Sequence, residues 1–192
     1  MVLKERSSIS FLADAMLGNI ARKLRIFGFD TIYLPHTTDD EILRTGIEQD
    51  RMILTADKEL FRRILKVGAR GVLVGGAGAS EFEDLIHIMT KSGITCVGTN
   101  GIGSRCSLCN GILEEMTSDQ VKNDQDSNDP AVSDVPDKVI LYHKQLFKCR
   151  ACHKIYWEGR HLKGIRALAR NLDAKLIGGV TCSTTVTTIP SC

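Results

Sequence analysis

The chain has 192 residues, 43% of them hydrophobic, with 25 Lys and Arg against 23 Asp and Glu for a net charge of +2. This composition excludes a globally disordered chain and suits one domain with a smaller appendage. No apolar run approaches the roughly 18 residues that span a bilayer, and Met1–Ser10 lacks the apolar core of a signal peptide, so the expectation is a soluble, intracellular protein without a membrane partner.

The charge is unevenly placed. Residues 117–137 hold six Asp against Lys122 alone, whereas residues 142–175 hold nine Lys or Arg against Glu158 and Asp173. A basic C-terminal third is what a phosphate-binding surface looks like.

In chain order, the apolar run at 9–13 reads as a strand covered on both faces, ending on Asp14. Leu17, Ile20, Ala21, Leu24 and Phe27 fall at helical spacing, and Gly28 stops that helix. Asp30–Leu34 predicts a second strand, ended by Pro35. Thr37–Asp40 offers N-cap chemistry to a helix carrying Ile42, Leu43 and Ile47. Met52–Thr55 predicts a third strand running into Asp57, followed by a helix over 58–67. Gly71–Val74 is a fourth strand, Glu81–Thr90 a fourth helix and Ile94–Val97 a fifth strand. Alternation of this kind predicts an α/β fold with a mostly parallel sheet flanked by helices. Gly75-Gly76-Ala77-Gly78 matches neither a Walker loop nor a dinucleotide fingerprint and reads as a turn.

Beyond a Gly-rich hinge at 99–105, the acidic stretch 117–137 shows no apolar period and reads as a disordered loop. Ile155–Trp157 predicts a strand and His161–Leu176 a helix. The Thr- and Ser-rich tail, 178–192, reads as disordered.

Three groups of side chains carry chemistry. Asp14, Asp39 or Asp40, and Asp57 lie at strand ends or helix starts that a parallel sheet brings to one edge, where such folds collect ligands. A carboxylate cluster suits a hard cation such as Mg²⁺ or Mn²⁺, which can generate hydroxide for attack on phosphorus. As caps or turn residues the same carboxylates need no cation, and Asp39 and Asp40 precede a helix that wants a cap.

The second group is Cys106-x-x-Cys109 with Cys149-x-x-Cys152. Two such knuckles complete a closed tetrahedral Cys₄ site of the structural zinc kind. Cys96 reads as a small buried side chain.

The third group is basic. Arg22, Lys23 and Arg25 follow Asp14 by one to three helical turns and suit phosphate, or else a solvated helix face. Lys148, Arg150, Lys154 and Arg160 interleave with Tyr142, Phe147, Tyr156 and Trp157. That mixture suits single-stranded nucleic acid, unless the aromatics serve the core of a small ribbon.

Several of these stretches together resemble a known family. Phe11-Leu12-Ala13-Asp14-Ala15-Met16-Leu17-Gly18, Leu24-Arg25-Ile26-Phe27-Gly28-Phe29-Asp30-Thr31, Thr38-Asp39-Asp40-Glu41-Ile42-Leu43 and Ile53-Leu54-Thr55-Ala56-Asp57 are similar to successive motifs of the Mut-seven C-terminal RNase domain family. Arg105–Gly111 and Cys149–His161 resemble its zinc ribbon. The likeness covers about residues 9–165. It implies a PIN-like nuclease domain at 9–98 fused to a zinc ribbon at 99–165, acting on RNA. Family acidic positions fall on Asp14, Asp39 and Asp57, and basic positions on Arg22 and Arg25. Asp39 is preferred to Asp40 as the residue directly after the small hydroxyl. Ala56 and Lys23 depart from the Arg and Trp that the family usually or often has there.

The sequence thus predicts a metal-dependent ribonuclease with structural Zn²⁺ and catalytic Mg²⁺ or Mn²⁺, or alternatively a non-catalytic RNA-binding adaptor. A phospho-receiver would need a second acid, a hydroxyl residue and a Lys where Ala15, Gly75 and Val97 or Gly98 stand.

Overall fold

Short apolar strands with both faces covered set the architecture. In the computed structural model the described residues are 9–76, 79–98, 104–125, 135–143, 145–157 and 159–176. Strands β1 (Phe11–Ala13), β2 (Thr31–Tyr33), β3 (Met52–Thr55) and β4 (Gly71–Leu73) pair in parallel, in the order β2-β1-β3-β4. Helices α1 (Gly18–Ile26), α2 (Asp39–Glu48), α3 (Lys58–Lys66) and α4 (Glu81–Lys91) cover the two faces.

Period-two alternation divides the central strands between two cores. Phe11, Ala13, Met52 and Leu54 pack with Leu24, Leu85, Ile88 and Met89 of α1 and α4. Leu12 and Ile53 pack on the other face with Ile42, Leu43, Leu60 and Ile64 of α2 and α3. Every residue of β1 and β3 is buried, which is why these strands read as continuous apolar runs. Side chains cap three helices. Thr38 accepts from the Glu41 N–H, Asp57 from Glu59 and Leu60, and Ser80 forms a capping box with Glu83. Each such cap is worth about 1 kcal/mol.

The second unit contains β5 (Leu113–Thr117), α5 (Ser118–Gln125), α6 (Asp137–Tyr142), β6 (Gln145–Cys149) and β7 (Ile155–Trp157). Its strands form an antiparallel sheet in the order β5-β6-β7. Met116, Val121, Val135, Ile140, Leu146 and Ile155 make a separate core. A long helix, α7 (Arg160–Leu176), then returns to the first unit, where Ala169 and Leu172 are fully buried in the α1–α4 core.

Four expectations change. Ile94–Val97 is not a strand, because the N–H groups of Val97 and Gly98 donate instead to the Asp173 carboxylate of α7 (2.6 and 3.1 Å). The acidic stretch is not featureless. Residues 118–125 form a helix, and Val121 and Val135 insert into the second core, two widely spaced apolar residues that no periodicity could reveal. Residues 126–134 and the tail from 177 lie outside the described set. Cys96 is half-buried and disulfide-bonded rather than a buried packing thiol. Finally, α7 extends past the boundary expected near residue 165 and serves the first core. Among the described residues no helix is long and apolar enough to cross a membrane.

Truncating α7 at its buried contact tests this last point. Leu172→Ala should cost about 2–5 kcal/mol in urea unfolding followed through the parallel-sheet unit; an unchanged midpoint would show that α7 does not belong to that core.

Candidate carboxylate edge and cysteine metal centre

In a parallel sheet all strands end at one edge, and the chemistry divides between the two edges. At the carboxyl edge, Asp14 follows β1 and is buried. Its backbone N–H donates to Leu54 O of β3 (3.1 Å), extending the ladder by one residue. Its carboxylate accepts from Met16 N (3.0 Å), Ala56 N (3.3 Å) and the Thr55 hydroxyl. Thr55, fully buried, also accepts from the N–H of Asp57 (2.9 Å). Asp14 and Asp57 are therefore joined through one hydroxyl. Asp57 caps α3 through contacts to Glu59 N (2.6 Å) and Leu60 N (3.2 Å).

Asp39 and Asp40 open α2, and both pair with Arg63 of α3, Asp39 at 3.2 Å. Among the described residues, the only group of three or more candidate ligands whose donor atoms all lie within 4.8 Å is the four cysteines; Asp14, Asp39 and Asp57 do not close to that spacing. Asp84 of α4 is a further carboxylate at this edge, half-buried and accepting from Gly75 N beyond β4 (3.0 Å). Sequence reading did not single it out. Lys23 is paired with Glu81 at the start of α4, while Arg22 is exposed.

The cysteine centre is built by two similar knuckles. Asn110 N donates to Cys106 O and His153 N to Cys149 O, both at 3.0 Å. Asn110 and His153, each directly after the second Cys of its knuckle, take positive φ (71° and 60°), a conformation Asn and His adopt more readily than most residues. The Cys106–Cys152 and Cys109–Cys149 sulfur pairs are 3.6 and 3.4 Å apart. A tetrahedral Zn–S length of about 2.3 Å implies sulfur edges of about 3.8 Å, so the four thiols fit zinc in number, type and spacing. Gly111 lets the knuckles meet, since a Cβ there would lie 2.7 Å from Cys149 Sγ and 3.0 Å from Ala151 Cβ. Burial opposes ionisation of Cys106, but hydrogen bonds from Tyr156 and from the Cys109 and Leu108 backbone outweigh it and bring its pKa to about 7. Burial pushes Cys152 up to about 12. A bound cation reverses that preference, because coordination deprotonates a thiol.

The ribbon docks on the opposite, amino edge of the parallel sheet. Asp30, just before β2, accepts from Arg51 just before β3 (2.9 and 3.2 Å) and from the Asn110 amide (2.7 Å), with Arg105 at 3.8 Å. Asn110 Oδ1 accepts from Thr31 N (3.0 Å). Arg25 donates to Thr31 O (2.8 Å), Ser107 O (3.2 Å) and Leu108 O (2.6 Å) and is 6% exposed. Expected as a phosphate ligand, Arg25 points into the junction and spends its hydrogen bonds on three backbone carbonyls. Sequence reading missed Asp30, Asn110 and Gly111 as site residues. The Cys-x-x-Cys-Asn-Gly run was the available signal.

On the ribbon, Arg150 pairs with Glu114, Lys154 is exposed and Lys148 is half-buried. Arg160 opens α7, but its side chain lies outside the described set. Tyr156 is half-buried against Cys106 Sγ (3.0 Å) and Ser107, and Phe147 is half-buried; Trp157 and Tyr142 are exposed. The aromatics thus divide between ribbon packing and surface.

Two outcomes follow. Gly111→Ala should weaken zinc binding measured by chelator competition, by roughly 10–100-fold if the knuckles are forced apart as a disturbed outer shell would be; unchanged affinity would contradict the close approach. Asp30 supplies a pH test. Burial raises its pKa, but the Arg51 and Asn110 hydrogen bonds lower it further, for a net shift below the ordinary value. A depressed carboxyl stabilises the fold above its unfolded pKa, near 3.9, and that stability is lost as pH falls through the folded value. Asp30→Asn should therefore destabilise the protein at pH 7, with the gap from the native protein narrowing below about pH 4; a gap independent of pH would rule out the carboxylate's charge as its source.

No curated protein matches the chain. The Mut7-C RNAse domain matches residues 9–169, which takes in the parallel sheet, its carboxyl edge, the cysteine centre and most of α7. The chain belongs to the Mut7-C RNAse domain family.

Proposed function

We propose that the protein hydrolyses RNA phosphodiester bonds with Mg²⁺ or Mn²⁺ held at the carboxyl edge. The observation that carries this reading is Asp14: a buried carboxylate at the end of a central strand, fixed by three donors and tied through Thr55 to Asp57. Three donors on one carboxylate fix where its oxygens sit, so that a cation would meet a ligand already in place.

Oxygen donors at this edge suit a hard cation, and Mg²⁺ retains several waters, so carboxylates outside direct ligand spacing can hold it partly through water. Asp14 and Asp57 would be the principal holders, and Asp39 would join by releasing Arg63. Bound there, the ion would supply charge neutralisation and an activated water. Arg22, exposed on α1, and Lys23 would face the substrate phosphate. Lys154 and Trp157, both exposed on the ribbon, would take single-stranded RNA by charge and stacking. The four cysteines would hold Zn²⁺ as a structural ion.

A second reading, a non-catalytic RNA-binding adaptor, is favoured by one observation. Each carboxylate already has an internal partner, and the three do not converge. One assay separates the two. Metal-stripped protein with intact zinc is given labelled single-stranded RNA with and without Mn²⁺, beside Asp14→Asn. The nuclease reading predicts Mn²⁺-dependent cleavage that falls at least about a hundredfold in the variant, since the ion's charge stabilisation is worth several kcal/mol. Equal RNA binding by both proteins without cleavage by either would replace it with the adaptor reading.

A further inference from the structure

Arg25 is buried, yet all three of its hydrogen-bond acceptors are backbone carbonyls. Two of those carbonyls, Ser107 O and Leu108 O, are the residues between Cys106 and Cys109. A buried guanidinium without a counter-charge is costly. The groups whose negative charge most favours it are Cys106 and Cys109, ahead of Asp30. Four thiolates around a divalent zinc ion form a net dianion, which a buried cation nearby stabilises. Arg25 sits on α1 and also bonds Thr31 O of β2, so the same side chain touches the knuckle, a helix and the edge strand of the parallel sheet. Asn110, directly after Cys109, makes the parallel contact to Thr31 N and Asp30.

We propose that Arg25 is the counter-ion of the metal–tetrathiolate centre and the joint through which its occupancy stabilises β1 and β2 of the parallel-sheet unit. This rests on the zinc assignment of the four cysteines and is independent of the nuclease reading. With the metal bound, the knuckle loop is held closed, its carbonyls converge on the guanidinium, and the dianion repays the desolvation of Arg25. Without it, the loop loses its cross-link, the carbonyls disperse, and the Arg25 charge is left buried beside the sheet. Loss of metal at the ribbon therefore loosens the amino edge of the other unit, where the knuckle docks.

The test uses the full chain, with zinc content measured first. Zinc affinity is compared by chelator competition for the native protein, Arg25→Met and Arg25→Lys. Arg25→Met should bind zinc about 10–100-fold more weakly, and Arg25→Lys, which keeps the charge without the fork, should fall between. In the native protein, chelation should speed amide exchange at Thr31, whose N–H is held by Asn110, and at Phe11, bonded to Asp30 O. Arg25→Met binding zinc as the native protein does would overturn the counter-ion role. Chelation that frees only ribbon amides, leaving Thr31 and Phe11 protected, would overturn the coupling, and it decides the matter even where a variant fails to fold. A native protein that takes up no zinc would sink the metal assignment itself, a result distinct from either.

Discussion

The ion cluster at Asp30 holds the two units of this protein together. One carboxylate accepts from Arg51, which precedes β3, and from Asn110, which ends the first knuckle, with Arg105 close by. The cluster thus fixes the amino edge of the sheet and the position of the ribbon at once. It is half-buried, where charge-assisted hydrogen bonds gain strength without the full cost of desolvation. Beside it, Arg25 and Asn110 satisfy backbone groups of β2, an edge strand that would otherwise leave a donor and an acceptor unpaired. At the other end of the chain, α7 closes the arrangement by packing on α4, with Asp173 taking the two N–H groups at Val97 and Gly98.

This docking has a functional consequence. The ribbon meets the sheet at its amino edge, whereas the carboxylates lie at its carboxyl edge. The span between them is at least the length of β3, four residues or about 13 Å. An RNA touching both the exposed ribbon residues and Asp14 must run along a face of the parallel unit rather than sit at a single point. On α1, Arg22 is exposed while Arg25 is buried on the inner side. The two arginines, three residues apart, have been divided by burial alone.

Much of this was legible in the sequence. Continuous apolar runs at 9–13 and 52–55 announced doubly covered strands, the N-cap chemistry of Thr37–Asp40 announced the helix after it, and two Cys-x-x-Cys knuckles announced a metal centre whose sulfurs the fold does bring together. What was hidden depended on contacts between distant residues. Arg25 looked like its neighbours on a basic helix, because helical periodicity says which side faces inward but not that a knuckle carbonyl waits there. The strand expected at 94–97 had the right residues and lost its partner to Asp173, more than 70 residues away. Val121 and Val135 are too isolated to form a pattern, yet they pack with Met116, Ile140, Leu146 and Ile155. The carboxylates were expected at one edge, but the pairing of Asp39 and Asp40 with Arg63 and the Thr55 hydroxyl on Asp14 join residues far apart in the chain.

Titrating Mn²⁺ into the zinc-loaded protein, and following paramagnetic broadening of backbone amide signals, asks whether the carboxyl edge holds a divalent cation. A cation held there broadens the amides of Asp14, Ala56 and Asp57 first and spares those of Asn110 and Thr31 at the opposite edge. Broadening that starts at the acidic stretch or the ribbon, with the Asp14 and Asp57 signals left sharp, would contradict it.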